Sequence, residues 1–324
     1  ELIALCFGEC FNVSPLLSNP ATLEYQVHGA AIESIIEVRD NGVPVAHTDT
    51  IATGKFTLSA QPFGQVTASV QGDKPVTWDT TVSKLVQRIV TGYGGVNKFV
   101  SGDLDTVQLA AFDAANTQPV GIYLKERTNT LAVCNQLAAS VGAQLVMSRL
   151  GKLQLLKIEL PASGTAFAID TNDIIENSLS ISQKLPVKAA FKVNYDRNYT
   201  VQSGLQTGIP EEHKDMYSLE WVSVTAQDAT VKTNYSLDSE PVPVDTMLLT
   251  ESDATVEATR LLNLYKTPRF VVTFTGTARL VELTLGQRVT LTYPRFGLDA
   301  AKEGQVIGLS IDWSNLTVKC EVII

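Results

Sequence analysis

The sequence predicts an α+β fold that is mainly β and split into several domains. Three observations lead there. Short segments of strict apolar–polar alternation recur along the chain, helical spacing is confined to a few stretches, and 324 residues exceed the size at which one core keeps growing. The composition divides into a β-rich N-terminal domain (1–75), an α+β subdomain (76–160), a β-rich domain with a linker helix (161–268) and a C-terminal barrel or sandwich (269–324).

The N-terminal part reads as strands from Leu2 to Val70. Ile35, Ile36 and Val38 precede Arg39-Asp40-Asn41-Gly42, and Val43 and Val45 follow. Asn-Gly between apolar runs predicts a tight turn, because both residues tolerate positive φ. Phe56-Thr57-Leu58 and Val66 to Val70 predict a further strand pair around Pro62-Phe63-Gly64.

The period then changes. Val82, Leu85, Val86 and Ile89 share a helix face, with Asp79 or Thr80 as cap and Gly92 past the end. A second helix runs from Asp105 to about Ala115, and a third starts at Thr128 or Asn129. The third turns Leu131, Cys134, Ala138 and Val141 inward and stops at Gly142. Leu145 to Met147 and Leu153 to Ile158 form a hairpin about Leu150-Gly151.

Strands return at Phe191 to Tyr195 and Tyr199 to Gln202, around Asp196-Arg197-Asn198, and at Ser218 to Thr225. Pro241 and Pro243 mark a linker. Ser252 caps a helix carrying Ala254, Ala258, Leu261 and Tyr265 on one face, and Pro268 ends it. The last stretch has the cleanest pattern. Val271 to Thr277 and Val289, Leu291 and Tyr293 supply two strands. Ile307, Leu309, Ile311 and Trp313 point inward before Ser314-Asn315, and Leu316, Val318, Cys320 and Val322 do so after it.

Composition excludes several functions. The net charge is −9 with no basic cluster, which argues against specific nucleic-acid binding while leaving a wall that DNA slides past. No apolar run is long enough for a membrane span. Four scattered cysteines and three histidines without ligand spacing predict no metal site and no disulfide framework, and no cofactor motif is present. The glycines of Thr91-Gly92-Tyr93-Gly94-Gly95 follow a helix and lack the Lys-Ser/Thr ending of a phosphate loop, so they read as a helix stop. There is no nucleophile elbow. Asp196, Glu220, Glu282 and Asp312, at apparent strand ends, read as turn or edge charges rather than a hydrolase pair. Asn12, Asn198, Asn234 and Asn315 each begin an Asn-x-Ser/Thr sequon, which has meaning only on a secretory route. The residues point away from an enzyme. A secreted or surface carbohydrate-binding or adhesin module is the alternative.

Several colinear stretches resemble the tail hub (baseplate hub) proteins of long-tailed bacteriophages. They are Val38 to Pro44 with Phe56 to Ala68; Val120-Gly121-Ile122-Tyr123 with Asn135 to Ala143 and Arg149 to Leu153; Val193 to Gln202; and Leu285 to Val289 with Tyr293 to Leu298, Val306-Ile307-Gly308 and Asp312-Trp313. The resemblance implies tail-tube-like β-barrels and a homotrimeric ring at the tail tip of the virion, assembled in the host cytoplasm. Its implied partners are the tail tube or distal tail protein, the tape-measure protein and the central tip or fibre, with DNA passing through the lumen. It also implies further chain before Glu1. Asp40, Asn41 and Gly42, and the loop of Arg295 and Phe296, are the expected interface residues, unless Arg295 pairs with a carboxylate of its own subunit. Tyr195, Arg197 and Asn198 read as a strand-turn corner or a binding site.

Overall fold

A computed structural model describes residues 2–206, 208–237 and 240–324. It is a mixed fold dominated by sheet, 37% strand and 23% helix, with several sheets and no closed barrel. The chain divides into two compact units: Glu1–Val141 with Lys192–Val224 and Pro243–Val256, and Gly142–Phe191 with Thr225–Val242 and Glu257–Ile324.

In the first unit, a five-stranded antiparallel sheet runs in the order 43–44, 32–40, 66–73, 5–13, 121–124. A four-stranded sheet (16–19, 24–26, 55–58, 47–50) shares its core, in which Cys6, Cys10, Tyr25, Val38, Phe56 and Val70 are all buried. The segments Phe56–Leu58 and Val66–Val70 are both strands, but they belong to different sheets rather than pairing with each other. The Asn-Gly turn forms as the pattern requires, with φ of 47° at Asn41 and 85° at Gly42. Gly8 pairs with Gly121 between adjacent strands, where a Cβ on Gly121 would fall 1.6 Å from the Glu9 carbonyl oxygen. Only two glycines permit that approach.

Within residues 76–141 of this unit lie the helices Val82–Gly92, Thr106–Ala115 and Thr130–Ala139. The first buries Val82, Leu85, Val86 and Ile89, as the spacing predicts. Asp105 and Asn129 cap the second and third through their side chains. The first helix is preceded by Thr81, whose hydroxyl is spent on Asp113 instead of on the helix end. The third turns Val133 and Leu137 inward with Cys134 and Ala138, while Leu131, at the first turn, stays exposed.

In the second unit a six-stranded sheet runs 167–169, 288–291, 302–312, 317–323, 269–276, 180–185. Its first pair is parallel and the remaining pairs are antiparallel. The sequence allowed a barrel or a sandwich here, and the described strands form a sheet that does not close into a barrel. Its core holds Phe274, Leu280, Leu283, Val289, Leu291, Val306 and Val322. Buried Gln305 ties the hairpin 143–147/153–157 to the sheet, accepting from Glu159 N–H at 3.1 Å and donating to Lys157 and Gly286 carbonyls at 2.9 and 3.1 Å.

Some elements depart from the sequence expectation for visible reasons. Trp313 is 67% exposed rather than core-directed. The Asp312 carboxylate accepts the Ser314 and Asn315 N–H groups, turning the chain before the tryptophan, and Leu316 sits at φ 52° in the same turn. A bulge between Val306 and Gly308 also breaks the strict alternation upstream. Residues 199–202 form no strand, Glu211–Ser218 is a helix, and the following strand begins only at Val222. Pro243–Asp245 is a short strand parallel to 192–194 instead of a linker. Thr250, not Ser252, receives the Asp253 N–H at the start of the Glu251–Tyr265 helix, and Leu262 is buried in place of Leu261.

One buried polar cluster joins the sheet of the first unit to its first helix. Asp73, whose side chain is 2% exposed, accepts from Arg88 Nε at 2.6 Å, Tyr93 Oη at 2.7 Å and His28 Nε2 at 3.2 Å. His28 Nδ1 accepts the Cys6 N–H at 3.0 Å, which fixes the neutral tautomer with its proton on Nε2. Burial alone would raise the Asp73 pKa, but the hydrogen bonds from His28, Arg88 and Tyr93 outweigh it and hold the carboxyl well below its ordinary value. Asp73→Asn leaves the Arg88 charge without its counterion and should destabilise the protein by about 2–4 kcal/mol at neutral pH. A folded-state pKa below the unfolded one stabilises above the unfolded value of about 4 and loses that contribution as pH falls further. Urea unfolding at pH 7 and pH 3 should therefore show the wild type–variant gap narrowing at the lower pH.

Candidate functional site

The corner after the Ala190–Tyr195 strand is the most heavily wired part of the first unit. Asp196 turns the chain at φ 47° and its N–H donates to the Leu248 carbonyl at 2.8 Å. Asn198, 3% exposed, then organises the surroundings. Its side-chain NH2 donates to the carbonyls of Met216, Tyr217 and Leu219 at 3.1, 2.9 and 3.1 Å. Its Oδ1 accepts from Thr200 N–H at 3.0 Å and from Asn12 Nδ2 at 2.8 Å. Asn12, at φ 53° in the Leu5–Val13 strand, also donates to the Thr200 carbonyl at 2.8 Å. An amide suits this position, since it tolerates the left-handed backbone and offers two donors. Of the four asparagine sequons, those of Asn12 and Asn198 are thus occupied by internal hydrogen bonds, and their side chains are buried.

Around this corner lies an aromatic–cation group. The buried Arg39 guanidinium sits 5.3 Å from the Phe11 ring and 5.4 Å from the Tyr217 ring, which stack on each other at 5.9 Å. It is neutralised by Glu37 and bonded to Ser69 Oγ at 2.9 Å. Arg197 pairs with Glu220 at 2.9 Å and lies 5.1 Å from both the Tyr199 and Trp221 rings.

Beside these groups opens a cavity of about 410 Å³ lined by Phe11, Asp196, Asp215, Met216, Leu219, Trp221, Val222 and Ser223. Its wall is mostly apolar, and its two carboxylates have no hydrogen-bond or ion-pair partner among the described residues. Burial raises the Asp196 pKa above its ordinary value, and the charge of Glu9 adds to this.

The residues expected at an interface fall in both units. Asp40 is buried and spends its oxygens on the N–H groups of Phe63 and Gly64 at 2.6 and 2.8 Å, while Asn41 Oδ1 accepts from Gln65 at 2.8 Å. Gly42 is buried against Leu205 and Ile209. The effect is to present the Phe63 ring, 95% exposed, on a fixed loop. In the second unit Arg295 and Phe296 are exposed in a turn with Phe296 at φ 62°, and Arg295 has no ion pair among the described residues. Of the acidic strand-end residues, Glu220 is paired with Arg197, Asp312 caps its turn, and Glu282 ends a short 3-10 turn (Ala278–Glu282). Asp196 lines the cavity. Sequence spacing could not reveal the cavity, because its lining comes from Phe11, Asp196 and residues 215–223, brought together by contacts such as the bond from Asn198 to the Met216 carbonyl.

Removing the Asn198 side chain strips a shared donor from three carbonyls and an acceptor from two donors. Unmade buried hydrogen bonds cost about 1–3 kcal/mol each, so Asn198→Ala should destabilise by about 3 kcal/mol or more. Arg197→Ala, which loses an exposed pair and ring contact, should cost only about 1 kcal/mol. Denaturant unfolding of the two variants distinguishes these values.

No protein-family model and no curated protein matches the chain. Among solved structures, a chain from the virion of a native gene transfer agent particle superposes with a TM-score of 0.61 at 12% identity, covering 100% of this chain and 84% of that one. A 43 kDa tail protein of prophage MuSo2 from Shewanella oneidensis gives 0.42 at 12% identity, covering 99% and 93%. A tail protein from Neisseria meningitidis MC58 gives 0.39 at 10% identity, covering 99% and 90%. At such identities the likeness is one of fold, and it is the fold of the first of these that this chain shares, over all of this chain's own length.

Proposed function

We propose that this chain is a structural subunit of a phage-type tail, serving as the hub at the tail tip. The observation that carries the reading is the fold that this chain shares, over its full length, with 84% of a chain of a virion particle, at a TM-score of 0.61. In this reading three copies form a ring that joins the tail tube or distal tail protein to the central tip or fibre, next to the tape-measure protein. The ring is a virion component assembled in the host cytoplasm, and it has no enzymatic role. A net charge of −9 suits a lumen that DNA passes without adhering.

Two loops are proposed as contacts within that assembly. Asp40, Asn41 and Gly42 would act indirectly, by holding the Phe63 loop in one conformation, so that an exposed ring is offered without an ordering cost. Arg295 and Phe296 would act directly, as exposed groups at a turn of the second unit.

Native mass spectrometry of the purified chain should show a three-copy species. Arg295→Glu should remove it while changing unfolding stability by no more than about 0.5 kcal/mol, as expected for an exposed residue. A wild-type chain that stays monomeric at all concentrations and turns over a small molecule would overturn the proposal. An Arg295→Glu chain that assembles normally would remove that loop from the interface.

A further inference from the structure

We infer that the cavity between Phe11, Asp196, Asp215 and Trp221 is a docking site for an extended peptide segment of a partner protein, carrying an arginine or lysine beside apolar residues. The inference concerns a different surface from the two loops above and stands whether or not the chain is a tail hub.

The chemistry of the lining selects the occupant. Phe11, Met216, Leu219 and Trp221 give apolar walls, and the cavity's only charges are two carboxylates. Neither carboxylate has a partner among the described residues, although Asp196 is half-buried. A partly desolvated anion in an apolar cavity is unfavourable alone, and a cation brought to it is favoured correspondingly more than at an open surface. Arg197, next to Asp196 in sequence, is already neutralised by Glu220 and lies over Trp221, so it does not fill that role. The upward shift of Asp196 agrees with a site that lacks its counter-charge.

The backbone points to a peptide rather than to a free cation. Val222 and Ser223, which line the cavity, begin the Val222–Gln227 strand, and this strand is the outer member of a three-stranded sheet. An unpaired strand edge accepts an extended segment through main-chain hydrogen bonds, while an adjacent pocket reads one side chain. A volume of about 410 Å³ holds one long side chain and part of its neighbour. The stem of an arginine or lysine can lie on Trp221 and Leu219 with its charged end at Asp196.

The test is calorimetric titration of the full chain with the peptide acetyl-Leu-Arg-Val-Leu-amide, alongside the same peptide carrying citrulline for arginine. Asp196→Asn with Asp215→Asn is the matching variant, because asparagine keeps the shape and tolerates the positive φ of residue 196. Expected is saturable one-to-one binding of the arginine peptide. It should be weakened about tenfold or more by citrulline, and as much by the double variant, the loss anticipated for a charge-assisted pair. Thermal unfolding of the variant, unchanged from wild type, shows that any loss is not unfolding. Equal binding of both peptides, absence of saturable binding, or full binding by the double variant would overturn the inference. So would self-association that the double variant abolishes, since a second copy would then be the occupant.

Discussion

The hydrogen bond between Asn12 and Asn198 is the constraint on which the corner of the first unit, and the site built around it, depends. It joins residues 186 positions apart, from a central strand to an irregular corner, at 2.8 Å and out of contact with solvent. Each asparagine has further duties that only this placement satisfies. Asn12 serves the Thr200 carbonyl, and Asn198 serves three carbonyls at the end of the 211–218 helix and just beyond. Those carbonyls cannot pair within the helix, because the chain leaves it there, and the buried one, of Tyr217, takes the Gln202 N–H at 2.8 Å as well. Pinning them sets Tyr217 on Phe11, which in turn gives Arg39 its two rings. The same pinning places Asp215, Met216 and Leu219 around the cavity. The second unit has a comparable device in Gln305, whose amide serves two carbonyls and an N–H from separate segments.

The parts legible in the sequence are those in which structure follows from neighbours a few residues away. The helix of Val82, Leu85, Val86 and Ile89, the Asn41-Gly42 turn and the paired strands near the C-terminus all rest on local periodicity or turn chemistry. The parts that escaped depend on distant partners or on a single side chain overriding the pattern. Trp313 continues the alternation on paper, but the Asp312 carboxylate ends the strand before it. Leu261 fits the apparent helix face less well than Leu262, because the buried stripe includes Glu257, held by Arg260 at 2.7 Å. Nothing in the local run from Tyr199 to Gln202 announces that it hangs on Asn12 instead of on a strand.

The candidate site shows the same division. Asp40, Asn41 and Gly42 are recognisable as a turn, yet their contribution, fixing Phe63 and its loop, needs contacts about two dozen residues away. Arg197 and Asn198 stand out as a corner, and their unequal weights appear only in three dimensions, where one is at the surface and the other buried. A fold shared at 12% identity with a virion chain fits this pattern.

Hydrogen–deuterium exchange on Asn198→Ala tests the central claim most directly. If the Asn12–Asn198 tie holds the corner to the sheet, amides at 11–13, 199–202 and 216–219 should lose protection together, while the Asp73 cluster and the whole second unit keep theirs. Unchanged protection in those three segments, or a loss spread evenly over the chain, would contradict the account.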